Sequence, residues 1–298
     1  MTGSPDSSNG HGSSAAASLS HAMSDGTPFS PAIVPRRLSD PAPMSGVASV
    51  VWPTELAQSL SNASTVKPNG AYELKFLINE DRANRIIDWA RTHLNPDPHA
   101  GGAHGDRYDV NSLYLDTPNM DVFHRSELYQ RRKYRLRRYG TDSKVWLEVK
   151  RKRKGVVRKQ RVSIDQSTIE HRIVGVIDPE WDGAWFRQRL DEHHLRPVCQ
   201  MTYRRFARVG TTINGTMRLT VDDSLTGCLA NGWQVPNRPL AGISLLQNQR
   251  ILELKFQVVM PVIFRQLVEQ EQLLTTSFSK YRTSVEECVP LDWIAGEW

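Results

Sequence analysis

Three segments of this chain carry the same short pattern, a Glu and a Lys two residues apart among large apolar side chains. They are Glu73 and Lys75 in YELKF, Glu148 and Lys150 in WLEVK, and Glu253 and Lys255 in ILELKF. Successive side chains of a β-strand point to opposite faces, so each segment reads as a strand with one apolar and one charged face. In KVWLEVK the apolar face is Val145, Leu147 and Val149, and the other face is Trp146, Glu148 and Lys150. RRKYRLRRY, with Arg135 and Arg137, divides the same way, as does MRLTVDD, with Arg218 and Asp222. Strands that agree on this division imply one shared charged surface. A sandwich would turn that surface to solvent, whereas a closed barrel turns it inward and lets helices coat the apolar outside. Stretches 83–94 and 261–274 carry helical apolar stripes that need such a coat, and Tyr72, Leu74, Phe76, Leu252, Leu254 and Phe256 supply the surface for it.

Along the chain, residues 1–67 are rich in Ser, Gly, Ala, Pro and His, and read as a low-complexity tail too poor in large apolar residues to offset its ordering entropy. Residues 68–298 form the folded domain. Asn79 has the chemistry of an N-cap ahead of Glu80 and Asp81, and Asn95-Pro96 ends that helix. Segment 99–105 is a Gly/His loop whose His99 and His104 lack a nearby third ligand, so it is read as a loop and not a metal site. Asp116 to Asn119 has turn chemistry, and Gly140, Gly155 and Asn214-Gly215 mark hairpin turns. Ile169, Ile173, Val176 and Ile177 are spaced for one helix face. SFSKYRTSVEE near the end reads as a last helix. Strands arrive as hairpins and not as β-α-β units. The expectation is therefore an α+β domain built on a mostly antiparallel closed β-barrel with a charged interior and flanking helices.

Net charge is only +6, from 38 Lys+Arg against 32 Asp+Glu, but the distribution is uneven. Between Arg131 and Arg161 stand fifteen bases and two acids, Asp142 and Glu148, which favours an anionic partner. Cys199, Cys228 and Cys288 stand far apart and odd in number, against a disulfide framework and in keeping with a reducing, cytoplasmic setting. No apolar run approaches the roughly 20 residues of a membrane helix, and no secretory signal is visible. The RKRK run at 151–154 admits nucleic-acid binding, but no recognised motif accompanies it, so no nucleic-acid partner is expected.

Charges turned into a lumen must pair with one another or with a ligand, because an unpaired buried ion costs several kcal/mol. Bases outnumber acids on these faces, Lys159 and Arg161 among them, so a densely charged anion is the natural complement. Arginine suits phosphate through its two-pronged fork. A glutamate among the bases fits the same chemistry, since Mg²⁺ and Mn²⁺ bind carboxylate oxygen alongside phosphate.

YELKF, SLYLDT, RLRRYG, WLEVKRK followed by RKQRV, YRRF, RLTVDD, ILELKF and FSKY occur in the order found in the VTC domain, and residues 70–288 resemble that family throughout. The family is the polyphosphate polymerase domain of the vacuolar transporter chaperone type, within the CYTH-like triphosphate tunnel metalloenzymes. The resemblance implies a tunnel lined by Lys75, Arg135, Arg137, Lys150, Lys159, Arg161, Arg205, Arg218 and Lys280, with Tyr203 and Ser279 as hydrogen-bond donors. It makes Glu253 the carboxylate for Mn²⁺ or Mg²⁺, with Glu73 and Glu148 as auxiliary carboxylates or partners for the bases. The implied activity transfers the terminal phosphate of ATP onto a growing polyphosphate chain, with ATP and polyphosphate or pyrophosphate as partners. The alternatives are a tunnel triphosphatase and a non-catalytic polyphosphate or nucleotide sensor. This sequence departs from the family at two points. Its first strand has one Glu-x-Lys instead of the E-x-E-x-K of CYTH hydrolases, and Ser277 stands where eukaryotic VTC domains carry Lys. The membrane segments and SPX domain of the eukaryotic complex have no counterpart here, so any link to a membrane is expected to run through a partner.

Overall fold

Eight strands close on themselves in a computed structural model that describes residues 70–101, 105–176, 178–238 and 241–295. They are β1 (Ala71–Ile78), β3 (Arg107–Asp116), β4 (Arg132–Tyr139), β5 (Lys144–Arg153), β6 (Val156–Asp165), β7 (Arg196–Thr212), β8 (Gly215–Leu229) and β10 (Arg250–Phe256). The order runs β7-β3-β4-β5-β6-β1-β10-β8 and back to β7, antiparallel throughout. Two short strands, β2 (Asn95–Pro96) and β9 (Ile243–Ser244), pair with β7 and β8 outside the ring. The ring is stitched unevenly: β7 and β8 pair along nearly their whole length, while β6 meets β1 only at Ala71↔Val157 and Tyr72↔Val156. The expected tail, His104 and Ile177 lie outside the described residues.

Local chemistry sets the hairpins. Lys154 and Gly155 form the two-residue turn between β5 and β6, both with positive φ (47° and 77°), the mirror-image turn that matches strand twist. At the β7–β8 turn Gly215 has φ 109°, a backbone conformation that strains any residue with a Cβ and suits glycine.

Apolar side chains face outward from the ring, under the helices. Tyr72, Leu74 and Phe76 of β1, Leu252, Leu254 and Phe256 of β10, and Met217, Leu219 and Val221 of β8 pack against two helices. Helix α1 (Glu80–His93) brings Ile86, Ile87 and Ala90, and α5 (Val262–Gln270) brings Phe264, Leu267 and Val268. Each large side chain buried this way is worth about 1.5–3 kcal/mol. Asn79 caps α1, its side chain accepting from the Arg82 amide at 3.0 Å. Around β3, β4, β5 and β7 a second cluster is covered by α2 (Asp121–His124), α3 (Ile169–Val174), α4 (Ala184–Glu192) and α6 (Lys280–Cys288); α7 (Leu291–Ala295) follows.

Two expectations need correction. The face proposed through Val176 stops short: α3 ends at Val174, and Val176 is 96% exposed. Gly175 forms the C-cap, where a Cβ would lie 2.3 Å from the His171 carbonyl oxygen, so the chain leaves the helix there. Strand β8 runs well past the MRLTVDD segment that marked it, to Leu229, because its ladder with β7 continues to Cys199↔Leu229.

Candidate functional site

One half of the inner face neutralises itself. Lys75 stands directly opposite Glu253, and Glu73 opposite Lys255, across the β1–β10 ladder. Lys75 Nζ lies 3.4 Å from Glu253 Oε1 and 3.6 Å from Glu73 Oε1, and Lys255 Nζ lies 3.3 Å from each of the two carboxylates. Arg205 grips Asp222 with both prongs, at 2.6 and 2.7 Å. Lys280, the first residue of α6, puts Nζ 2.6 Å from Asp222 Oδ2 and 3.2 Å from Glu253 Oε1. Burial pushes the Glu253 carboxyl up, but Lys280, Lys75, Lys255 and Arg205 together hold it well below the usual carboxylate range. Asp222 is lowered in the same way, by Arg205 and Lys280 against burial. The Lys280 ammonium, opposed by burial, is raised by Asp222 and Glu253.

Helix α6 is held in place by a buried anchor. The Asp116 carboxylate accepts from the amides of Thr117, Val122 and Phe123, at 2.7, 2.8 and 2.9 Å, and also from the Tyr281 hydroxyl. Asp116, whose segment read only as a turn, thus ties the end of β3 to the residue after Lys280.

The half built on β4, β5 and β6 is richer in bases. Glu148 is its one inward carboxylate, 2.6 Å from Arg135 Nη2 and 3.0 Å from Lys159 Nζ. Burial raises the Glu148 carboxyl, but Arg135, Arg137 and Lys159 bring it far below the ordinary value. Lys150 reaches across to Glu73 at 2.9 Å, yet burial, with Lys75 and Lys255 nearby, pulls its ammonium down to about 7 despite Glu73. Arg137 donates to Ser112 Oγ at 3.0 Å, and Lys133 to Ser279 Oγ at 2.7 Å. Among the described residues neither has a carboxylate partner, and burial, with Lys75, Lys150 and Arg135 close by, presses the Lys133 ammonium well down. Ser277 is exposed two residues before Ser279, and the ammonium at this corner comes from Lys133 of β4.

The remaining predicted residues are placed as follows. Tyr203 presents its ring to three cations, with Lys280 Nζ 4.8 Å, Arg205 5.2 Å and Arg137 5.9 Å from its centroid. Ser279 accepts from Lys133 and also caps α6 through the Arg282 amide. Arg218 donates to the Tyr108 hydroxyl at 2.7 Å, and its Nε lies 2.8 Å from Asp97 Oδ2. Arg161 is opposite Glu148 in register but stands exposed, its guanidinium 4.2 Å above the Trp146 ring. Lys159, two residues earlier on the same strand, is likewise exposed. His99 stacks on Tyr139, centroids 5.1 Å apart. Burial opposes ionisation of the Tyr139 phenol, but Arg137, with Lys159 and Arg135, brings it down to about 8.

Lys133, Lys255 and Asp222 were missing from the expected set although each shares a strand face with a predicted member. Tyr108 and Asp97 had no signal, since only ring closure brings them to Arg218.

Among the described residues no three His, Cys, Asp or Glu cluster as a metal site. Mg²⁺ and Mn²⁺ need fewer protein ligands when phosphate supplies the rest. Glu253 and Glu73 share Lys75 and Lys255, and Thr220, opposite Glu253 in the β8–β10 ladder, has a buried hydroxyl with no hydrogen-bond partner among the described residues. That donor set is all hard oxygen and fits such an ion.

No curated protein matches the chain. Among solved structures it is similar to a putative adenylate cyclase of Bacillus halodurans, at 11% identity over 70% of this chain and 92% of that one, TM-score 0.43. It is also similar to a putative adenylyl cyclase of Hippeastrum described as having a dominant triphosphatase activity, at 14% identity over 75% of this chain and 99% of that one, TM-score 0.43. Similarity extends to protein PH1819 of Pyrococcus horikoshii, at 13% identity over 72% and 95% of the two chains, TM-score 0.40. The family model described as VTC domain matches residues 70–289, the whole ring with its covering helices, and the chain belongs to the VTC domain family.

Proposed function

We propose that the protein is a polyphosphate polymerase that transfers the terminal phosphate of ATP onto a growing polyphosphate chain inside its ring of strands. The observation that carries this reading is the inner face itself. Bases from β1, β4, β5, β6, β7, β8 and α6 converge there, and among the described residues Lys133 and Arg137 make no direct ion pair with a carboxylate. Such a surface binds a polyanion and little else.

Arg135, Arg137, Lys150 and Lys159 hold the triphosphate, while Arg205, Lys280 and Lys75 fix the phosphate being transferred. An oxygen of the acceptor's terminal phosphate attacks the terminal phosphorus of ATP. The new P–O bond forms as the bridging P–O bond to the leaving diphosphate breaks, and ADP departs with those electrons. Positioning and fixed positive charge supply the acceleration. Glu253, with Glu73 beside it, would hold a divalent Mn²⁺ or Mg²⁺. That ion, when bound, offsets negative charge on the phosphates. No helix of the described residues is long and apolar enough to cross a membrane. The three free cysteines accord with a reducing, cytoplasmic setting.

The test is incubation of the full chain with ATP and Mn²⁺, resolving products on a polyphosphate gel. Ladders of long chains are expected. Orthophosphate alone would replace the polymerase with a tunnel triphosphatase, and binding without product would leave a sensor.

A further inference from the structure

Around the start of α6 the inner face is more positive than its partners can satisfy. Ser279 and Phe278 are consecutive, and each holds an ammonium through a neutral oxygen. Lys133 Nζ is 2.7 Å from Ser279 Oγ, and Lys75 Nζ is 3.4 Å from the Phe278 carbonyl oxygen. The hydrogen-bonded ladder also sets Lys133 directly opposite Lys150. Most other bases on the ring that meet an anion must first give up a carboxylate, Arg137, buried on Ser112, being another exception. Lys150 would loosen from Glu73, Arg135 from Glu148, and Arg205 and Lys280 from Asp222. Lys133 gives up only a hydroxyl.

Phosphates in a condensed chain are not alike. An internal phosphate carries one negative charge, whereas a terminal one, with a second pKa near 6, carries close to two at neutral pH. The end group therefore gains most where ammonium ions outnumber carboxylates, as where Lys75 and Lys150 share Glu73 and Lys133 has no carboxylate partner among the described residues. Helix α6 adds to this, since Ser279 is its N-cap and the helix presents its positive end there.

We propose that Lys133 forms the subsite for the chain-terminal phosphate, selecting linear condensed phosphates that present a dianionic end group over phosphates that lack one. The proposal rests on the phosphate-binding reading above and specifies the substrate class within it. The Ser279 hydroxyl, freed of Lys133, donates to the same end group. The depressed proton affinity of Lys133 agrees: burial first, and then the like charges of Lys75, Lys150 and Arg135, disfavour an ammonium that a bound dianion would stabilise.

Linear tripolyphosphate and cyclic trimetaphosphate have the same number of phosphorus atoms, but the ring has no end group. Calorimetric titration of both into the full chain and into Lys133→Gln tests the proposal. The wild type is expected to bind the linear form at least tenfold more tightly than the ring. In Lys133→Gln the linear form is expected to lose roughly tenfold or more, as for a charged hydrogen bond, while the ring changes less than about threefold. Denaturant unfolding of Lys133→Gln should show stability unchanged or raised, since the variant removes a crowded cation. Equal losses for both phosphates would reduce Lys133 to general attraction and overturn the proposal with the phosphate reading intact. A wild type that binds neither would remove both.

Discussion

The two halves of the inner face carry similar residues and solve opposite problems. On β1, β10, β8, β7 and α6, three carboxylates interlock with Lys75, Lys255, Arg205 and Lys280 until nearly every charge has a partner. On β4, β5 and β6, Glu148 serves Arg135 and Lys159, and Lys133, Arg137 and Arg161 are left to neutral oxygens or a ring face. The first arrangement holds itself together without a ligand. The second leaves cations without an anionic partner among the described residues. A surface that is to bind a polyanion and yet fold without it would need both, one to tolerate burial of charge and one to keep charge available.

The largest break in this contrast is expected from Asp222→Asn. It leaves Arg205 and Lys280 buried without their closest partner, so stability in denaturant should fall by about 3–5 kcal/mol. A loss under about 1 kcal/mol would mean the paired half is not a structural network. Arg137→Met should do the reverse. Tripolyphosphate binding is expected to weaken by roughly ten- to a hundredfold in calorimetry, with stability changed by less than about 1.5 kcal/mol. Were stability to fall as far as in Asp222→Asn, the two halves would not differ in kind.

Tyr139 reports the field of the unpaired half. Its phenol is depressed to about 8 in the folded protein, against about 10 in an unfolded chain. The phenolate is therefore favoured by folding, and the stability it adds is fully present above pH 10 and lost as pH falls through 8. Unfolding free energy should rise between these values by on the order of 2 kcal/mol more in the wild type than in Tyr139→Phe. An absorbance titration of the wild type minus the variant should show one phenol ionising near pH 8, moving upward when tripolyphosphate is added. A difference curve near the ordinary value would show that the cations do not focus on this ring. The smallest effect is expected at the rim. Arg161→Ala removes an exposed cation over Trp146, and tripolyphosphate binding should weaken by only about two- to fivefold, more visibly at low salt.

Most of the ring was legible because alternation is a local property. The faces of β1, β4, β5, β8 and β10 could be assigned from period two, and their inversion followed from two helical stripes that needed a strand surface to cover. The omissions have two sources. Lys133, Lys255 and Asp222 were on assigned faces but outside the expected functional set, although face membership alone points to them. Asp97, Tyr108 and the Asp116–Tyr281 anchor join segments far apart in sequence, and no local pattern announces such a contact. Val176 failed for the opposite reason: apolar spacing ran on past a glycine whose backbone ends the helix.

The sequence by itself determined which residues lie on the charged side of each strand, because side-chain direction in a strand is fixed by parity. Only the tertiary structure decided which of those charges neutralise one another, because that depends on ladder register and on where α6 enters the ring. Lys75 and Lys133 are both lysines on inward faces. Register sets one opposite Glu253, and the other meets Ser279 and no carboxylate among the described residues.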